Sequence, residues 1–385
     1  MKSEDVHYRT QIVESLTEID AEEWQTLLDQ QDHPNPFLSY AFLAALENNG
    51  CVGGKTGWHS RYFCLKLNGK LEGVVPFYEK HHSYGEYVFD WAWANAYHQH
   101  GLEYYPKLLA ATPFTPVTGN RLLASSAQAR RALIKELQQL RELELYSSTH
   151  LLFATEEETK ALENVGFLVR QNVQFHWKNQ QYKHFDDFLA NLSAKKSKSI
   201  RAERRKVSEA GIHFKRKVGA DIGAEDWRFF AQCYDNTYHQ HHSSPYLNLG
   251  FFQEIGDTMR DQVMLICAYR ENTAIGAALF LFNEERLYGR YWGCTEYVPC
   301  LHFETAYYQA LEFCIERGIL WFEGGAQGEH KMARGFMPHT MYSAHYLREP
   351  AFYDAVANFL KHEKNGVSEY IDELHEHTPF REQQS

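Results

Sequence analysis

Residues Val263 to Gly293 read VMLICAYRENTAIGAALFLFNEERLYGRYWG, and this run decides the fold. Three apolar stretches, Val263 to Tyr269, Ala274 to Phe282 and Arg286 to Gly293, are separated only by short polar turns. Each has the length of a strand, and turns this short join antiparallel neighbours, so the run predicts a three-stranded meander. A helix follows over Phe303 to Arg317, and Gly318 stops it. Leu320 to Phe322 reads as a short buried strand, Glu329 to Arg334 as a short helix, and Ser343 to Leu347 as a strand before a terminal helix from Phe352. Upstream lie a strand at Ile212 to Val218 and helices at Glu225 to Tyr238 and Leu249 to Met259.

The first half repeats this order. Tyr8 to Leu16 reads as a strand, and Asp20-Ala21-Glu22-Glu23 opens a helix through Leu28. Ser39 caps a second helix that stops near Gly50. Arg61 to Leu67 and Leu71 to Tyr78 form a hairpin across Asn68-Gly69, a pair suited to a turn with two positive φ angles. Glu86 to Asp90 is the expected third strand, followed by an irregular aromatic and Pro-rich stretch from Trp91 to Arg121. A helix over Ala127 to Leu143, a strand at Leu151 to Ala154, a helix at Glu156 to Glu163 and a strand at Phe167 to Trp177 complete the half. Both halves read β-α-α-β-β-β-α-β-α-β, so one plan occurs twice, joined near Lys178 to Asp187. The expected domains are 1–180, carrying the aromatic insertion, and 181–385, carrying the reacting groups. At 385 residues, two cores are also the expectation from length.

Composition excludes several classes. Apolar residues make up 44% and charged residues 23%, an ordinary globular mix. A net charge of -11 argues against a protein that coats nucleic acid non-specifically. The longest apolar run, Ala274 to Phe282, is too short to span a bilayer, and no apolar stretch follows Met1-Lys2-Ser3-Glu4-Asp5 as in a secretory signal. Seven scattered cysteines without a C-x-x-C read as reduced thiols. The expectation is a cytoplasmic chain with no transmembrane segment. Histidines cluster at 239–242, 81–82 and 98–100, but no metal-ligand spacing occurs, so no metal site is expected.

The densest polar segment runs from Phe322 to Phe336. Glu323 precedes the turn Gly324-Gly325-Ala326-Gln327-Gly328, and Glu329, His330, Lys331 and Arg334 follow it. Glycines let backbone approach a ligand closely, and a helix start offers N–H groups to an anion. The plain alternative is a strand-to-helix turn with a solvated charged helix behind it. A second segment holds Tyr288, Arg290 and Trp292 on the third meander strand, with His302 and Glu304 opening the long helix. Arg290 on a buried strand needs an anionic partner, either a ligand or an internal Glu304 or Glu323. The run from Lys195 to Lys206, extended by Lys215 to Lys217, forms a basic face that suits tRNA or a nucleotide-linked precursor, or is simply solvated.

The element order matches the GNAT acyl-CoA N-acyltransferase fold. The stretches 324–331, 301–304, 287–293, Phe89-Asp90-Trp91, Tyr104-Tyr105-Pro106-Lys107-Leu108 and Pro113-Phe114-Thr115-Pro116 together resemble the FemAB-like family of N-acyltransferases, also described as peptidoglycan biosynthesis/recognition proteins. The resemblance implies an α/β (α+β) chain of two tandem GNAT-like domains, each a mixed, largely antiparallel sheet flanked by helices. It implies transfer of an acyl or aminoacyl group to a small-molecule amine acceptor, for example a cell-wall precursor. Acyl-CoA or aminoacyl-tRNA would be a co-substrate, with no tightly bound cofactor. On this reading Glu323, His330 and Glu304 are the candidate bases. Arg290, Tyr288, Trp292, His302, Gly324, Gly325, Gln327, Gly328, Lys331, Arg334 and Lys107 are the candidate donor- or substrate-binding residues. One departure stands out: acetyl-CoA-binding GNAT enzymes carry a Gly-rich loop before the long helix, whereas here the interval 294–300 has no glycine and contains Pro299. The alternative function is a non-catalytic ligand- or RNA-recognition protein on the same fold.

Overall fold

The computed structural model describes residues 7–140, 145–326 and 328–381. The chain forms two compact units, one of Met1–Asn172 with Thr340–Ser368 and one of Val173–His339 with Glu369–Ser385.

The first unit contains β1 (Arg9–Val13), α1 (Ala21–Asp29), α2 (Tyr40–Asn48), β2 (Trp58–Leu67), β3 (Lys70–Lys80), α3 (Trp91–Gln99), β4 (Lys107–Ala110), β5 (Leu123–Ala124), α4 (Ala127–Leu140), β6 (Ser148–Ala154) and α5 (Glu156–Glu163). Local chemistry sets several of these boundaries. The Asp20 carboxylate accepts from the N–H groups of Glu22 and Glu23 and starts α1. Asn68 and Gly69 both take positive φ and close the β2–β3 hairpin. Thr155 and Glu158 cap α5 reciprocally. Glu158, itself buried, also takes the backbone N–H groups of Arg121 and Leu122, so one carboxylate ties the helix start to the loop before β5.

The expected strand over Glu86 to Asp90 is instead a loop. Gly85 and Tyr87 take positive φ, which an extended strand cannot include, and Glu86 and Asp90 turn inward to Lys107. The third meander strand is β4, which pairs antiparallel with β3. Part of the stretch expected to be irregular is the helix α3. The end of the helix expected to reach Leu143 lies outside the described residues.

The second unit contains β7 (Leu168–Lys178), which begins before the division, α6 (Phe185–Asn191), α7 (Ala194–Glu209), β8 (Ile212–Val218), α8 (Ala224–Gln240), α9 (Leu249–Thr258), β9 (Val263–Arg270), β10 (Thr273–Phe282) and β11 (Arg286–Cys294). Then come α10 (Leu301–Phe303), a π-helical turn (Glu304–Tyr308), α11 (Gln309–Arg317), β12 (Trp321–Glu323), a 3-10 helix (Glu329–Arg334) and β13 (Met337–Leu347), which belongs to the first unit from Thr340 on. The terminal helix α12 (Pro350–Glu376) spans both units. The meander β9–β10–β11 stands as read, and Gly318 closes α11 in the left-handed conformation.

Each sheet is mixed. In the first unit β4 runs parallel to β6, and β13 closes the sheet antiparallel to β6. In the second, β11 runs parallel to β12, and β7 closes the sheet antiparallel to β12. Each unit thus takes its closing strand from the other half of the sequence. The first core packs Leu133 and Leu137 of α4 on Val75, Phe77 and Leu151. The second packs Leu311, Cys314 and Ile315 of α11 on Phe280, Leu287, Phe322 and Trp177. Among the described residues, no helix is long and apolar enough to cross a membrane.

Helix α8 lies tight on β11 at Gly293. A Cβ there would sit 2.0 Å from the carbonyl oxygen of Cys233, and that neighbour is helix backbone that cannot swing away. Gly293→Ala should therefore cost about 1–3 kcal/mol, read from the urea midpoint at unchanged slope. Gly366→Ala on α12, where a Cβ meets nothing, should instead add up to about 1 kcal/mol.

Candidate active site

The site of the second unit begins where a strand pairing stops. β11 and β12 pair in parallel through Arg286 with Trp321, Leu287 with Phe322 and Tyr288 with Glu323. Beyond Glu323 the chain enters Gly324 and Gly325, the latter at φ +85, and leaves the sheet. β11 continues to Cys294 on its β10 side, with a bulge opposite Leu279 and Phe280 that inserts Arg290 as the extra residue. A small cavity of about 70 Å³ opens at this divergence, lined by Phe280, Gly289, Arg290, Trp292, Tyr307 and Gly324 among others.

Glu323 sits at the last paired position and is 2% exposed. Arg286 Nη1 donates to its Oε1 at 3.0 Å. Burial nevertheless wins over the ion pair and pushes the Glu323 carboxyl up to about 7, with Arg286 and Arg290 opposing. A carboxyl with that value changes ionisation near neutral pH, as a general base must.

Glu304 is held differently. It lies on the π-helical turn and is equally buried, but Arg204 of α7 grips both its oxygens at 2.9–3.2 Å and Gln309 donates at 2.8 Å. Arg204 reaches Glu312 as well, at 2.7 Å. These bonds make Glu304 an anchor between α7 and the long helix, with its acceptors occupied. Of the internal anionic partners considered for Arg290, Glu304 is paired with Arg204, and Glu323 is bonded to Arg286 while also feeling the Arg290 charge.

The Gly-rich turn is organised by side chains rather than by a helix dipole. The segment behind it is one 3-10 stretch of six residues, too short to act as the anion site expected there. Lys331 turns back and donates to the Gly325 carbonyl at 2.7 Å. Burial, with Arg290 adding to it, lowers the Lys331 ammonium to about 7. The His330 ring lies over Gly328, which has φ +113, and a Cβ there would fall 2.2 Å from the ring. His330 is partly exposed and meets the Tyr307 hydroxyl at 3.4 Å. Burial first, then Arg334 and Lys331, hold it below the usual histidine value, so it is neutral near pH 7. Arg334 stacks on Phe303, 3.4 Å from the ring centroid, and pairs with Glu203 at 3.0 Å. His302 stacks on Trp292, and burial lowers it to about 4. Tyr288 is fully buried beside Glu323. Gln327 lies outside the described residues.

The FemAB-like family model, described as peptidoglycan biosynthesis/recognition, matches residues 15–382. The chain belongs to the FemAB-like family. Among solved structures, FemX superposes with a TM-score of 0.55 at 12% identity, covering 90% of this chain and 100% of that one. The L-PGS structure from Bacillus licheniformis gives a TM-score of 0.54 at 11% identity, covering 89% and 97%. At such identity these likenesses establish the fold, a pair of GNAT-like domains. No curated protein matches the chain.

Lys107 of this FemAB-like chain lies in the first unit, fully buried, donating to Glu86 at 2.7 Å, to Ser83 at 3.0 Å and to Asp90. Those three partners take up the ammonium's three donors, so it pins the 81–90 loop. Two residues that the sequence reading passed over belong to the second unit's site, Arg286 and His176. Arg286 carried a signal, since it stands two residues before Tyr288 on the same strand face as Glu323's partner. His176 carried none, because its place depends on β7 pairing with β12.

Arg204→Ala would strand Glu304 as a buried, half-compensated charge. It should cost roughly 3 kcal/mol in urea unfolding, with Arg204→Lys intermediate because one ammonium cannot replace the fork.

Proposed function

We propose that this FemAB-like chain is an N-acyltransferase that joins an activated acyl or aminoacyl donor to an amine in the cleft where β11 and β12 part, with Glu323 as the general base. The observation that carries this reading is a buried carboxyl, held near 7, at the last residue pair before the strand edge of β11 opens. An amine attacks only when neutral, so a group must take its proton. Glu323 is suited to that task, and neutral His330 at the cavity's side is the second candidate. Gly289, Arg290 and Trp292 of β11, together with Gly324, line the cavity that would receive the donor. Lys331 and Arg290 supply positive charge beside it.

For the donor, two features favour aminoacyl-tRNA over acyl-CoA. The interval 295–300 leading into α10 lacks the glycines that a pyrophosphate grip uses and exposes Tyr297, a ring on which a terminal base can stack. Helix α7 carries seven cations against two carboxylates, and Lys195, Lys198, Arg201, Arg205 and Lys206 face solvent. That surface suits an RNA backbone in a chain whose net charge is otherwise -11. The family's link to peptidoglycan biosynthesis/recognition supports a nucleotide-linked cell-wall precursor with a free amine as the acceptor.

The test supplies charged tRNA or acetyl-CoA as donor, with an amine-bearing precursor, and measures labelled amide product. Product from charged tRNA is expected, falling at least 100-fold in Glu323→Gln and less in His330→Ala. Binding of bulk tRNA without product under any donor would instead favour a recognition protein on this fold. Because the base works deprotonated, the rate should rise with pH through about 7. Stability runs the other way. A carboxyl raised in the folded state stabilises below its unfolded value near 4.5, and that contribution is lost as pH rises through about 7. Glu323→Gln should flatten that limb of the stability profile.

A further inference from the structure

In the second unit, three buried polar atoms at one spot lack a hydrogen-bond partner among the described residues: Oε2 of Glu323 and both ring nitrogens of His176. β12 and β7 place these two residues directly opposite one another, on the same face of the sheet. His176 Nε2 lies 3.9 Å from Glu323 Oε2, and both side chains are 2% exposed. That separation is about 1 Å beyond a hydrogen bond and too short for a bridging water, which needs roughly 5 Å between the groups it joins. Each unmade bond leaves the desolvation of a buried polar group uncompensated. Closing the gap of about 1 Å would satisfy both groups at once.

The surroundings say which way the proton faces. Arg286, Arg290 and Glu285 approach from β11 and the turn before it, Lys331 from the 3-10 helix, and His339 from β13. His339 stacks on His176 with centroids 4.4 Å apart and fixes its ring plane. Burial first, then His339, Arg286 and Lys331, holds His176 well below its usual value, so it is a neutral imidazole with one N–H to give. The Glu323 carboxylate has two oxygens. Arg286 holds Oε1, and Oε2 can accept from His176 on one lone pair and still take a substrate proton on the other.

We propose that His176 is a positioning residue for Glu323, donating from Nε2 to Oε2 when the carboxyl is ionised and so supporting its charged form opposite Arg286. The proposal rests on the reading of Glu323 as the base, but its test needs no substrate. The full-length protein, labelled with carboxyl-¹³C glutamate, is titrated from pH 4 to 10, and the Glu323 signal is identified by its loss in Glu323→Gln. Removing a donor to the carboxylate raises its midpoint, so His176→Phe should shift it up by about one unit, a tenfold change in proton affinity. His176→Asn, which keeps an N–H donor, should fall between wild type and His176→Phe. In the wild type, the ¹⁵N signal of His176 Nε2 should move with the same midpoint as Glu323, a measurement that survives even if a variant misfolds. An unmoved midpoint in His176→Phe, or a flat Nε2 signal across the Glu323 titration, overturns the proposal. Full transfer activity in Glu323→Gln with the titration as expected would overturn the base assignment alone and leave the contact standing.

Discussion

Only three residue pairs hold β12 against β11, and the last joins Tyr288 to Glu323. A parallel pair can stop there because the next two residues are glycines, and Gly325 takes a φ that carries the chain out of the sheet plane. The stop has three consequences. It ends the ladder beside β11 while β11 itself continues to Cys294, so a small cavity opens at the divergence. It leaves Glu323 buried in the sheet, next to Gly324, which lines the cavity. It also sends the chain into a turn tight enough that Lys331 can fold back on Gly325. A longer β12 would bury the edge and leave no cavity.

Glu304 and Glu323 show how the same burial yields different chemistry. Both are at most 3% exposed. Around Glu304, a guanidinium fork and an amide satisfy the carboxylate, and the bonds repay desolvation. Around Glu323, one guanidinium nitrogen reaches one oxygen, and burial prevails. The difference is the number of donors delivered: Glu304 ties two helices together, while Glu323 keeps one oxygen without a hydrogen bond. The π-helical turn contributes, since it is where the long helix presents Glu304 toward α7 and Tyr307 toward the cavity.

Much of this was legible in the sequence because it is local. Asn68-Gly69, Asp20 and Gly318 act on the residues beside them, and the meander announces itself through three strand-length runs with short turns. Glu323 and the glycines were visible for the same reason. The strand expected over Glu86 to Asp90 is absent because Tyr87-Val88-Phe89 has strand composition, while the force that turns the flanking acids inward is the distant Lys107. Arg204 with Glu304, Arg286 with Glu323, and His176 opposite Glu323 are pairings across 37 to 147 positions of chain, set by register. No periodicity reports such contacts.

The closing strands explain why the repeat in the sequence is not the repeat in the sheets. Read along the chain, β7 should complete the first plan and β13 the second. In the structure β13 lies on β6, and β7 lies on β12. The exchange matters because these are the strands that cover parallel neighbours. β6 is buried along its whole length and β12 is only three residues long, so neither could serve as an exposed edge. For β12 the consequence reaches the chemistry. The strand that ends at the candidate base is held on its far side by β7, and β7 places His176 against it. The residue that tunes Glu323 is thus delivered by the same exchange that closes the sheet.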